Sequence, residues 1–189
     1  MHDVTCSMTI SLDGYTTDPD GGLGWAAPDE EVFRLATDEV RGTGVHLLGR
    51  RLYEAMLYWE DADRDPELDF STREFAELWR GLRKVVFSRT LPAVRGNARL
   101  ASGTLAEEVA RLRAEPGDGD IAIGGADLAA QAAGLDLIDE YRLRTYPVLL
   151  GGGTPLFPRD GRRRDLEPVE SRPLAAGARY LRYRVLRER

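Results

Sequence analysis

Two adjacent glycines, Gly124 and Gly125, separate the apolar run Ile121–Ile123 from the alanine-rich stretch Ala126–Gly134. Glycine at such a junction can ease a tight turn. It can also clear side chains from a helix N-terminus, so that a phosphate reaches the backbone N–H groups. Three other loops carry comparable residues: "SLDG" (Ser11–Gly14), "LLGRR" (Leu47–Arg51) and "VFSRT" (Val86–Thr90). Other chemistry is poorly provided for. The two histidines, His2 and His46, and the lone Cys6 cannot make an ordinary zinc site without several carboxylates, so no metal site is expected. Ser11 and Ser88 lack a histidine partner for nucleophilic catalysis, and His46 lies inside an apolar run that marks it as a satisfied core residue. "GGAD" has the wrong spacing for the G-x-G-x-x-G dinucleotide motif. The acidic stretch Glu60–Asp69 lacks the glycine and spacing of a calcium loop and reads as a solvated loop. Pro158–Asp165, with four arginines, could contact phosphate but reads as an exposed turn before a late strand.

These loops need elements to position them. Val4 to Ile10 is short and rich in β-branched residues, a first and central strand that runs into a glycine-rich loop. Val32, Phe33, Ala36 and Val40 recur at helical spacing. Pro28, Asp29 and Glu30 suit the first turn of that helix, where proline is preorganised and acids meet the positive end of the dipole. "VHLLG" (Val45–Gly49) and "KVVFS" (Lys84–Ser88) read as buried strands, "RRLYEAMLYW" and "TREFAELWRGL" as helices. Thr104 and Glu107 have the spacing of a capping box, so a helix starts there. "DIAIGG" is then a strand and "ADLAAQAAG" a helix stopped at Gly134. "DEYRLRTYPVLLGGG" reads as a longer strand ending in glycines. The tail "RYLRYRVL" alternates, with Leu181, Tyr183 and Val185 on one face, and reads as an antiparallel strand near the sheet edge.

Strand–helix alternation closing on strands alone argues for an α/β fold: a mostly parallel sheet between helices, with antiparallel strands added at the C-terminal end. In such sheets ligands bind beyond the strand C-termini. There the four loops converge, which favours a phosphate platform at Gly124 and Gly125 over a simple turn. The 189 residues suit one domain over 1–189, and 42% hydrophobic with 31% charged residues indicates a globular chain. No apolar run approaches the roughly 20 residues that span a bilayer, no secretory signal is evident, and a single cysteine excludes an internal disulfide, so a cytoplasmic setting without membrane attachment is expected. A net charge of −6 argues against general nucleic-acid binding.

Five motifs in order, "MTISLDGY", "LLGRRLYEAM", "KVVFSRTL", "IAIGGADL" and "YPVLLGGGTPLF", resemble the dihydrofolate reductase-like superfamily. The branch resembled most closely contains the C-terminal reductase domain of the bifunctional riboflavin-biosynthesis deaminase–reductase. The resemblance runs from Val4 to about Leu186, and the zinc-ligand signature of the deaminase half is absent from these residues. It implies a three-layer α/β/α domain, commonly a homodimer, for which the alternating C-terminal strand offers a face. It implies NADPH as cofactor. Gly49, Arg50 and Arg51 resemble the start of a helix that meets the dinucleotide phosphates. Ser88, Arg89 and Thr90 resemble the stretch at the 2′-phosphate, and Ile123, Gly124, Gly125, Ala126 and Asp127 the glycine platform under the pyrophosphate. Arginine suits a phosphate by bidentate, charge-assisted bonding, although Arg89 alone could equally be plain surface.

On the substrate side the resemblance implies a pocket lined by Trp25, Phe33 and Tyr146. Counting from Trp25 and Pro28 as in bacterial dihydrofolate reductases lands on Glu30 as the catalytic carboxylate, with Asp29 beside it. A carboxyl in a partly apolar pocket has a raised pKa and can relay a proton to a substrate nitrogen; the same residues could merely charge a helix N-terminus. Asp13 could hydrogen-bond the substrate or hold the loop turn. Two positions depart from riboflavin-pathway reductases: Ser7 stands where they usually have lysine, and Ile123 where they usually have glutamate. The sequence therefore points to an NADPH-dependent reductase of a small pterin-, pyrimidine- or imine-like substrate. Dihydrofolate reduction and a non-catalytic nucleotide-binding homologue are the alternatives.

Overall fold

A strand whose side chains are buried on both faces must lie inside a sheet, and β1 (Val4–Ser11) is such a strand. Val4, Cys6 and Ile10 are buried on one face, Thr5 and Ser11 on the other. The computed structural model, which describes residues 2–26, 29–62 and 68–187, places β1 between β5 (Asp120–Gly124) and β6 (Glu140–Tyr146). With β2 (Thr43–Gly49), β3 (Arg83–Phe87), β4 (Ala98–Leu100), β7 (Asp165–Pro173) and β8 (Arg179–Leu186), the order across the eight-stranded sheet is β4-β3-β2-β5-β1-β6-β8-β7. The six strands from β4 to β6 are mutually parallel, and β8 runs antiparallel to both β6 and β7.

Helices cover both faces. On one, Val4, Cys6, Leu47, Ile121 and Ile123 pack with residues of α5 (Leu105–Ala114) and α6 (Ala126–Gly134). On the other, Leu48 and Val86 pack with α2 (Arg50–Met56) and α4 (Phe70–Gly81), and Trp59 of α3 (Tyr58–Asp61) joins them. Helix α1 (Glu30–Arg41) lies on this second face, its Phe33 and Val40 turned toward the same cluster.

Two readings need correction. β6 stops at Tyr146 instead of running to the glycines, because Pro147 brings no N–H to the ladder and Val148 N–H turns back to the Tyr146 carbonyl at 2.9 Å. β7, absent from the reading, has no buried residue and carries Pro168 at a register shift, both marks of an edge strand. β8 consequently has partners on both sides, so its edge is not free for a second chain. The basic stretch before β7 is the exposed turn expected, and two of its arginines are already engaged. Arg164 donates to the Ala133 carbonyl at 2.8 Å and Arg162 to that of Gly134, placing cations at the negative end of α6.

The predicted capping box is present, with Thr104 N–H on the Glu107 carboxylate at 2.8 Å. One residue on, Glu108 is fully buried and accepts from Arg99 at 2.6 and 3.0 Å, from Arg111 at 3.2 Å and from Ser102 N–H at 2.7 Å. Those bonds, the Arg99 pair foremost, pull its pKa from 4.5 to about 2. A folded-state pKa below the unfolded value contributes stability that is present above pH 4.5 and lost as the pH falls toward 2. Glu108→Ala should cost about 3 kcal/mol, the low end for a broken buried pair because the guanidinia left behind are half exposed. Urea melts at pH 7 and pH 3 check this: the gap between parent and variant should narrow at pH 3.

Candidate functional site

All parallel strands point their C-termini at one edge, where Ser11, Gly49, Phe87, Gly124 and Tyr146 end β1, β2, β3, β5 and β6. Helix α2 begins directly after Gly49 and α6 directly after Gly125. Both N-cap residues are glycine, so no side chain caps the first-turn N–H groups of either helix. The two caps adjoin: a Cβ on Gly125 would lie 3.9 Å from the Gly49 nitrogen. Gly125 has φ +93°, a conformation that favours glycine.

Beside this edge Arg50 donates to Thr90 Oγ1 at 2.6 Å and to Glu54 at 2.8 Å. Ser88 Oγ accepts from the N–H groups of Thr90 at 3.2 Å and Leu91 at 3.1 Å, folding the end of β3 into a turn. Arg51 and Arg89 are exposed, and neither forms an ion pair among the described residues. The structure thus brings Gly49, Arg50, Ser88, Thr90 and Gly125 together. Ala126 and Asp127 open α6, and the exposed Asp127 already sets a carboxylate in its first turn. Ile123 is different. Strand alternation turns it into the core between sheet and α6, so its side chain does not reach this edge.

The substrate-side residues are divided. Trp25 and Tyr146 meet edge to face with centroids 6.0 Å apart, in a cluster with Val32, Leu35, Val148 and Tyr180. The Trp25 indole N–H is buried without a partner among the described residues. Phe33 instead packs on Phe75 at 5.4 Å and Trp59 at 6.1 Å, so it holds α1 against α4 and does not join the pair. Burial first, and then the Asp29 charge, hold the Tyr146 hydroxyl above its usual pKa, so it stays protonated at neutral pH.

The three acids expected to be catalytic have other employment. Asp29 is the N-cap of α1 and accepts from Val32 N–H at 2.9 Å. Glu30 is 85% exposed and pairs with Arg34 one turn on, so no apolar pocket surrounds it. Pro28, from which it was counted, lies outside the described residues. Asp13 accepts from Ser11 Oγ at 2.6 Å and from Gly151 and Leu150 N–H at 2.8 and 3.1 Å. The Ser11 bond leads in lowering its pKa, so Asp13 is an anion that ties two loops together and not an acid. Glu30→Gln should therefore leave the turnover of any accepted substrate within about twofold, since exposed pairs contribute little. Steady-state rates decide this, and a loss of about 100-fold or more would restore Glu30 as the general acid.

One polar cluster escaped the sequence. Glu39 of α1 accepts from Ser7 Oγ at 2.5 Å, Arg144 at 2.8 Å and the Tyr180 hydroxyl at 3.0 Å, joining the helix to β1, β6 and β8. The available signal was a carboxylate on the inward stripe of α1, two turns after the buried Val32. His46 also differs from expectation. Its Nδ1 is buried without a hydrogen-bond partner among the described residues, so it is not a satisfied core histidine. Among the described residues no group of three His, Cys, Asp or Glu is placed to hold a metal, and no helix is long and apolar enough to cross a membrane.

Comparison with known proteins gives the following. A family model described as the RibD C-terminal domain matches residues 2–180. The uncharacterized protein YyaP of Bacillus subtilis (strain 168) is 29% identical over 180 residues, which are 95% of this chain and 93% of that protein. A putative riboflavin biosynthesis protein from Shewanella sp. PV-4 superposes with a TM-score of 0.75 at 24% identity, over 98% of this chain and 99% of that one. RibD of Acinetobacter baumannii gives 0.69 at 17% identity, over 98% of this chain and 58% of that one. A pyrimidine reductase-like protein of Corynebacterium diphtheriae gives 0.65 at 16% identity, over 99% and 93%. At these identities the structural matches speak for the fold alone.

Proposed function

We propose that this chain, which belongs to the RibD C-terminal domain family and has its dihydrofolate reductase-like fold, is an NADPH-dependent reductase of a small heteroaromatic or imine-like substrate. The observation that carries the reading is the pair of glycine-capped helix starts, with Gly49 and Gly125 side by side at the ends of parallel strands. Uncapped N–H groups there suit a pyrophosphate, and Arg51 and Arg89, exposed and without an ion pair among the described residues, suit a further phosphate on the adenosine ribose. When bound, the dinucleotide supplies hydride. The protein's part is to hold and orient. Gly49 and Gly125 offer N–H groups, Arg50 fixes the turn at Thr90, and Trp25 with Tyr146 gives the substrate end an apolar wall. Tyr146 keeps its hydroxyl proton and can donate a hydrogen bond to a ring nitrogen or carbonyl. With Glu30 in solvent, the proton that accompanies hydride comes from water.

The substrate reading rests on two side chains. Ser7 spends its hydroxyl on Glu39, and Ile123 is in the core, so neither the usual lysine nor the usual glutamate of riboflavin-pathway reductases has a counterpart in these positions. A phosphoribosylamino-pyrimidine would lose both contacts, which favours a smaller ring. Dihydrofolate reduction fits less well, because the carboxylate it would need is exposed. A crystal soaked with NADPH and a pool of pterins, pyrimidines and cyclic imines tests the reading. Dinucleotide density crossing Gly49 and Gly125 supports it; dinucleotide bound elsewhere, or none, refutes it.

A further inference from the structure

Strand β5 turns Ala122 and the bare side of Gly124 toward the face that carries α2, beside His46 and Leu48 of β2. That side of Gly124 is already filled. A Cβ there would stand 2.5 Å from Leu52 Cδ2 and 2.6 Å from His46 Nε2, closer than such atoms can approach. His46 has little room to yield, since its ring stands edge-on to the buried Trp79 with centroids 5.5 Å apart. Leu52 lies in the first turn of α2, and its Cβ is 3.8 Å from where a Cβ on Gly125 would be. Contacts thus run from Trp79 through His46 to Gly124, and from α2 through Leu52 to the cap of α6. His46 brings bulk to this chain and no charge. Burial, and after it the Lys84 charge, lowers its pKa to about 4, and Nδ1 has no partner among the described residues.

We infer that His46 and Leu52 are positioning residues that set the separation of the two helix starts, and that Gly124 is glycine to admit these side chains, not to admit a phosphate. The inference rests on the reading that NADPH lies across this edge. The two explanations of Gly124 part in a rescue experiment. Gly124→Ala should weaken NADPH binding about 10- to 100-fold by forcing α2 and α6 apart, the usual cost of overpacking, while circular dichroism shows the fold kept. In a Leu52→Ala/His46→Ala background the room is restored, and adding Gly124→Ala should then change the dissociation constant less than about threefold. Should that background fail to fold, Leu52→Ala and His46→Ala are each used alone, and each should recover part of the loss. Calorimetry reads all of these. An undiminished penalty in every truncated background means that the ligand itself needs the bare glycine and overturns the inference, as does a Gly124→Ala variant that binds like the parent. A parent protein that does not bind NADPH overturns the proposed function, and this inference with it.

Discussion

Gly125→Val is expected to abolish measurable NADPH binding, a loss of at least about 100-fold, while the protein remains folded. The residue sits at φ +93° as the cap of α6. A side chain in so sparsely populated a conformation, with ψ at 128°, costs about 1–3 kcal/mol, which a domain stable by about 5–15 kcal/mol survives. The Cβ itself meets no hard contact, at 3.8 Å from Leu52 Cβ and 3.9 Å from the Gly49 nitrogen. The two branches beyond it would lie over the start of α2 beside the Gly49 nitrogen and over the first turn of α6, where a pyrophosphate would rest. Fluorescence titration with NADPH and a thermal melt separate the two consequences. Unchanged affinity would return Gly125 to the role of a turn residue.

Gly153→Ala is expected to lower the melting temperature by about 6–12 °C, corresponding to about 3 kcal/mol in a chain of this size. Here the obstacle is backbone. A Cβ on Gly153, itself at φ +114°, would stand 1.9 Å from the Thr17 carbonyl oxygen, and no rotamer relieves that. The collision lies between two laced loops. Thr16 N–H donates to the Thr154 carbonyl at 2.8 Å, Leu156 N–H to that of Gly14 at 3.0 Å, and Leu12 N–H to that of Val148 at 2.9 Å. Asp13 fastens the same pair through Leu150 and Gly151. These loops follow β1 and β6 at the candidate substrate end, so the variant should lose more in turnover than in NADPH affinity. A melting temperature equal to the parent's contradicts the argument.

The parts of the fold legible in the sequence were those where one local rule sufficed. Helix α6 follows from alanines between two glycines, α5 from its capping box, and β1 from β-branched residues running into a turn. Sheet edges were not legible, because β4 has three residues and β7 leaves even its Leu166 and Val169 exposed, so neither shows a buried face to count. The apolar "PVLL" after Tyr146 looked like more strand, yet Leu149 is 71% exposed and its neighbours bond to the β1 loop. The candidate site was legible as loops but not as side chains. Adjacent positions on a strand face opposite ways, which put Ile123 in the core and left Gly124 at the α2 face. On α1, counting from Pro28 could not reveal which face of the helix Glu30 occupies. The packing of His46 and Leu52 over Gly124 spans two strands and a helix, and no single segment encodes it.

Titration calorimetry of the parent protein with NADPH and with NADH tests the central claim most directly. Arg89 in the Ser88–Thr90 turn, and Arg51 next to the Arg50 that bonds Thr90, are exposed and have no ion pair among the described residues. A 2′-phosphate held by charge-assisted bonds to them should favour NADPH by about 10- to 100-fold, from bonds of about 1.5–3 kcal/mol. The account predicts that preference, its collapse in Arg51→Ala/Arg89→Ala, and one dinucleotide per chain. Equal affinity for the two cofactors, or no heat with either, would contradict it.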